Sequence, residues 1–135
     1  NREASVRVLS SHLLPGSSGS STNFELKTCD ASSNPYLALG VMLAAALDGI
    51  ELECDPGKPL ESAPGAFSDE ERATRKITAL PSSLDQAVRN LESDSVLLDA
   101  LGPELAQSFI AIRKAEHTYF LEHPEEEIER HKFVY

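Results

Sequence analysis

Alternation of apolar and polar positions marks two short extended stretches near the start of the chain. Residues 4–9, Ala-Ser-Val-Arg-Val-Leu, set Ala4, Val6 and Val8 on one side and Ser5 and Arg7 on the other, the period-2 pattern of a strand with one buried face. Residues 23–29 repeat it, with Phe24, Leu26 and Thr28 on one side and Glu25, Lys27 and Cys29 on the other. The intervening SSHLLPGSSGSST, residues 10–22, is a Ser/Gly-rich loop. Two strands joined in this way predict an antiparallel pair. A pair alone is marginal in water, so these strands call for a sheet that the chain does not supply.

From residue 34 the pattern turns helical. Asn34 before Pro35 fits an N-cap followed by Pro at the first helical position. Tyr36 to Leu47 is apolar nearly all round, which predicts a helix buried on most sides and closed at Asp48-Gly49 by a left-handed glycine. Residues 50–80 carry Pro56, Gly57, Pro59, Pro64 and Gly65 and read as loop, with one helical turn at Ser68–Arg72. Ser83 with Gln86 forms a capping box that opens a helix to about Leu91. A short helix over Ser95–Leu101 closes at Gly102, and Pro103 opens the longest helix, which Pro124 stops after His123. Leu105, Phe109, Ile112 and Phe120 are its expected apolar side. The fold class that follows is α+β, two antiparallel strands at about 4–29 and then a helical segment at about 34–135.

Composition narrows the function classes. The 135 residues hold 22 acidic and 12 basic side chains, a formal net charge of −10. That balance argues against nucleic acid and against an anionic membrane surface, both of which need clustered Lys and Arg. No apolar run has the length of a membrane span. Two cysteines, Cys29 and Cys54, are too few for a disulfide framework, and a soluble cytoplasmic protein is the expectation. His12, His117, His123 and His131 have no metal-ligand spacing among themselves, and Glu125–Glu127 reads as a solvated run. The opening Asn1-Arg2-Glu3, without Met, reads as an internal stretch of a longer domain.

Three stretches in order carry a family resemblance. Asn1-Arg2-Glu3-Ala4-Ser5-Val6-Arg7 resembles the NR-x-A-x-x-R segment of glutamine synthetases. Asn34-Pro35-Tyr36-Leu37-Ala38, followed by Leu47-Asp48-Gly49-Ile50, resembles their NPYLA…LDGI helix. The helices from Leu80-Pro81-Ser82-Ser83-Leu84 to His131–Tyr135 resemble the family's C-terminal helical segment. The whole of 1–135 thus looks like the C-terminal part of a glutamine synthetase catalytic domain of the bacterial lineage.

The resemblance implies ATP-dependent ligation of ammonia to the γ-carboxylate of L-glutamate through a γ-glutamyl phosphate. It implies Mg²⁺ or Mn²⁺ as cofactor and a homo-oligomer of two stacked hexameric rings. Residue by residue, it makes Arg2 a catalytic and ATP-binding residue, Arg7 an ATP-phosphate contact, Glu25 a metal ligand and Lys27 a glutamate-binding residue, with Ser21 near an ATP-contact position. The chemistry suits these types: guanidinium forks match phosphate oxygens and a carboxylate matches a hard cation. Read without the resemblance, Arg7 and Glu25 are the wet face of a strand. Arg2 and Arg7 lie an odd number of residues apart, so a regular strand sends them to opposite faces and only a bend unites them. Lys27 stands where the family commonly has Arg, and Asn23 where the ligases commonly have another Arg. Asn23-Phe24-Glu25-Leu26-Lys27 is similar to nodulin- and FluG-like members of the superfamily. Phe67 occupies the place of the bacterial adenylylation tyrosine. The resemblance therefore leaves open a γ-glutamyl ligase that uses another amine such as a polyamine, and a synthetase-like protein with weak or no ligase activity. It implies an isolated chain without turnover, and a C-terminal tail (Ile128, Phe133, Val134, Tyr135) at ring-to-ring contacts.

Overall fold

The computed structural model describes residues 3–9, 23–29 and 32–132. Among them run two strands and six helices: β1 (Val6–Leu9), β2 (Asn23–Leu26), α1 (Pro35–Glu51), α2 (Asp69–Thr74), α3 (Leu84–Glu92), α4 (Ser95–Leu101), α5 (Pro103–Glu122) and α6 (Glu127–His131). Short 3₁₀ turns occupy Pro64–Ala66 and Pro124–Glu126. The chain divides into two units, one of 1–31 with 56–79 and one of 32–55 with 80–135.

In the first unit β1 and β2 pair antiparallel in the register Val6↔Leu26, Arg7↔Glu25, Val8↔Phe24, Leu9↔Asn23. The Lys27 N–H donates to Ser5 O at 2.8 Å and adds one rung. Both strands are shorter than the alternation implies, and their apolar face is not buried: Val6, Val8 and Phe24 are all more than half exposed. Two strands have one another as partners and nothing among the described residues to cover that face. In the same unit, Ser68 caps α2. Its Oγ accepts from Glu71 N–H, and the Glu71 carboxylate accepts from Ser68 N–H at 2.8 Å. The Arg75 guanidinium lies 4.7 Å over the Phe67 ring.

The second unit is helical. Asn34 Oδ1 accepts from Tyr36 N–H and Leu37 N–H at 3.0 and 3.2 Å, and Pro35 sits at the first helical position as the sequence predicts. The other end of α1 differs. Asp48 and Gly49 stay helical, the helix continues to Glu51, and the left-handed residue is Glu53 (φ 51°). Glycine is tolerated inside a helix at modest cost. No residue of α1 is buried, against the expectation of burial on most sides.

Ser83 Oγ accepts from Gln86 N–H, but the Gln86 side chain reaches past the cap to Ser82 N–H at 2.9 Å. The box is therefore shared between two serines. Asp94 caps α4 through Leu97 N–H. Helices α3 and α4 pack on α5, and α1 on α4. The two buried apolar residues among those described are Val88 on α3 and Ala106 on α5, 3% and 6% exposed. On α5 the covered stripe is Ala106, Phe109, Ile110, Arg113, His117 and Phe120. Leu105 and Ile112, expected inside, are exposed. Their neighbours one position along the helix take the inward face instead. Lys114 on α5 pairs with Glu92 at the end of α3 at 2.5 Å.

Helices α4 and α5 meet at a bend of 109°. Gly102 makes it, with φ 75° and ψ 157°, a conformation essentially restricted to glycine. A Cβ at Gly102 meets nothing within 4 Å, so the cost of a side chain is a backbone cost. We expect Gly102→Ala to lower stability by about 1–3 kcal/mol, whereas Gly40→Ala, mid-helix in open space, raises it by roughly 0.5–1 kcal/mol. Urea unfolding followed by far-UV circular dichroism reads both, and equal effects of the two substitutions contradict this account of the bend.

Candidate functional site

The hairpin gathers three of the residues singled out in the sequence. Arg7 and Glu25 are directly opposed across the ladder, and Arg7 Nη2 donates to Glu25 Oε1 at 2.9 Å. The pleat places Lys27 at a same-face position two residues beyond Glu25. Arg2 and Ser21 lie outside the described residues, as does the expected bend that brings Arg2 to this face. The loop 10–22 lies outside them too.

Both members of the Arg7–Glu25 pair are partly exposed, 29% and 40%. An opposed pair of that kind contributes about 0.2–1 kcal/mol to the hairpin, too little to be the reason for two charges on a four-residue ladder. Arg7 Nε is buried and has no hydrogen-bond partner among the described residues. The guanidinium thus holds Glu25 through Nη2 while its buried Nε has no partner among the described residues. The donor set on this face, a guanidinium, a carboxylate and an ammonium, suits a phosphorylated ligand with a hard divalent cation. Glu25 is one carboxylate, and such a cation takes six or more oxygen ligands, so this face supplies part of a metal site.

A second polar cluster was not legible as such. Tyr119 Oη donates to Glu126 Oε2 at 2.7 Å, Arg130 Nε donates to the same oxygen at 2.7 Å, and Arg130 Nη2 donates to Tyr119 Oη at 2.5 Å. The Arg130 guanidinium lies 4.3 Å over the Tyr119 ring, and His123 stacks against its side at 4.6 Å. Glu126 is therefore not part of a simple solvated run. Its i,i+4 spacing to Arg130 was the available signal. Tyr119 sits a turn before the Pro124 break, and sequence alone gave no sign that it bends back. Ligand atoms of His123, Glu125 and Glu126 lie within 4.8 Å of one another, a proximity that the histidine spacing did not show. The cluster's place at the end of α5, with Arg130 on the Glu126 carboxylate, makes it a tie between α5 and α6. Cys29 and Cys54 are free and exposed.

These two arrangements have a family context. The chain matches the family model for the glutamine synthetase catalytic domain over residues 1–132, and it belongs to that family. It is 38% identical to a glutamine synthetase of Halobacterium salinarum over 120 residues, which are 89% of this chain and 25% of the relative. It is 39% identical to one of Methanococcus maripaludis over 120 residues, 89% of this chain and 26% of the relative. It is 35% identical to a gamma-glutamylpolyamine synthetase of Streptomyces coelicolor over 115 residues, 85% of this chain and 24% of the relative. The chain spans about a quarter of the length of the curated relatives it matches.

The tie at the end of α5 makes a pH-dependent prediction. The hydrogen bond from Tyr119, and then that from Arg130, hold the Glu126 carboxyl below the usual carboxylate range, and the bond to Glu126 raises the Tyr119 hydroxyl. A lowered folded-state pKa stabilises above the unfolded value, and that contribution is lost as pH falls through the folded value. The docking of α6 should therefore be complete above about pH 4.3 and weaken below it. Carboxyl ¹³C shifts followed against pH should show Glu126 titrating low and Tyr119→Phe returning it toward the ordinary range. An unchanged titration in Tyr119→Phe removes the tie.

Proposed function

We propose that the chain is the hairpin-and-helix part of a ligase that uses ATP to join an amine to the γ-carboxylate of L-glutamate, with ammonia as the amine. The single observation that carries the reading is the Arg7–Glu25 pair with its spare buried guanidinium donor. It supports the reading because the chain belongs to the glutamine synthetase family and a paired guanidinium and carboxylate have the chemistry for phosphate oxygens and a hard cation. The reaction passes the γ-phosphoryl group of ATP to the glutamate γ-carboxylate and releases ADP. The amine nitrogen then attacks the acyl carbon, inorganic phosphate leaves and the amine gives up a proton. In this scheme Glu25 contributes a ligand to Mg²⁺ or Mn²⁺, which when bound offsets phosphate charge. Arg7 turns its spare donors to phosphate oxygens and stays charged at any working pH. Lys27 meets the glutamate carboxylate as a point charge, and Arg2 stabilises the transferring group. Working subunits form a double hexameric ring in the cytoplasm, and two unpaired exposed thiols suit a reducing compartment.

Ligation of a polyamine is the second reading, favoured by the likeness to the Streptomyces coelicolor protein. A synthetase-like protein with weak activity is the third, favoured by Lys27 and Asn23 in place of arginines. The 135-residue chain with ATP, Mn²⁺, glutamate and ammonia should form no measurable glutamine, because one carboxylate is an incomplete metal site. Within a complete catalytic domain, competition between ammonia and putrescine for γ-glutamyl transfer separates the first two readings, and transfer to neither supports the third. In that setting Glu25→Gln should weaken Mn²⁺ binding by about tenfold or more, as does any loss near 1.4 kcal/mol. Arg7→Lys should lower kcat more than it raises KM, since the charge stays and the fork is lost. Unchanged Mn²⁺ titration in Glu25→Gln makes Glu25 a surface residue of the strand.

A further inference from the structure

We draw no further inference here: the strongest candidate, the His123–Glu125–Glu126 cluster at the Pro124 turn between α5 and α6, is made of partly exposed side chains whose Glu126 carboxylate is already held by Tyr119 and Arg130, and nothing among the described residues points to an ion there.

Discussion

The packing of α3 on α5, the two helices that carry the buried Val88 and Ala106, is what the helical unit depends on. Both side chains are small, and Lys114 on α5 pairs with Glu92 at the end of α3. Gly102 then turns the chain through 109° so that α4 fits on the same pair. Few apolar groups are enclosed by this arrangement. Burial of a Val or Leu side chain is worth roughly 1.5–3 kcal/mol, while ordering each residue costs on the order of 1–2 kcal/mol of backbone entropy. A unit with so small an enclosed core gains from any surface that covers Leu39, Leu43 and Leu47, so exposure of α1 and thinness of the core are one fact seen from two sides.

The hairpin obeys the same constraint differently. Its apolar face is open, and its polar face puts Arg7 against Glu25. Neither face stabilises a four-residue ladder by much. A short ladder is nevertheless a good carrier of chemistry, because the pairing register fixes which side chains share a face and how far apart they are. Opposed Arg and Glu compensate one another's charge in the absence of a ligand. On the proposed reading, a phosphate oxygen near the guanidinium, or a cation near the carboxylate, exchanges with a contact of low net value rather than breaking a buried pair.

Local grammar was legible in the sequence where one residue type has one physical use. Asn34-Pro35, Ser83 and Gly102 each mark a helix end, and each end falls where its residue stands. The class and the order of elements follow from such signals, and the antiparallel pair from alternation. Illegible were the features set by what lies across an interface. Leu105 and Ile112 have the right character for a core, yet the packed stripe runs through Ala106, Phe109 and Arg113, because where α3 and α4 lie, and not side-chain character alone, decides which side of α5 is covered. Gly49 has the character of a stop, yet nothing requires the helix to stop there. Of the site, Arg7, Glu25 and Lys27 came from resemblance and their common face from alternation. Tyr119 and Arg130 were missed because their meeting depends on the fold-back at Pro124, a tertiary event with no periodicity to announce it.

The net charge needs a finer reading than its total. Residues 1–31 hold three basic and three acidic side chains, Arg2, Arg7, Lys27 and Glu3, Glu25, Asp30. The entire −10 therefore belongs to residues 32–135. An acidic total argues against a polyanionic partner only if the charge is near the binding face, since screening confines exposed charges to about 8–10 Å at physiological salt. The helical unit has the charge that repels nucleic acid, while the hairpin is locally balanced and has cations at two of its alternating positions. A nucleotide with a divalent cation presents a much reduced charge to such a face. The composition that excludes a long phosphate backbone is thus compatible with a small phosphorylated ligand, and the two statements apply to different stretches of the chain.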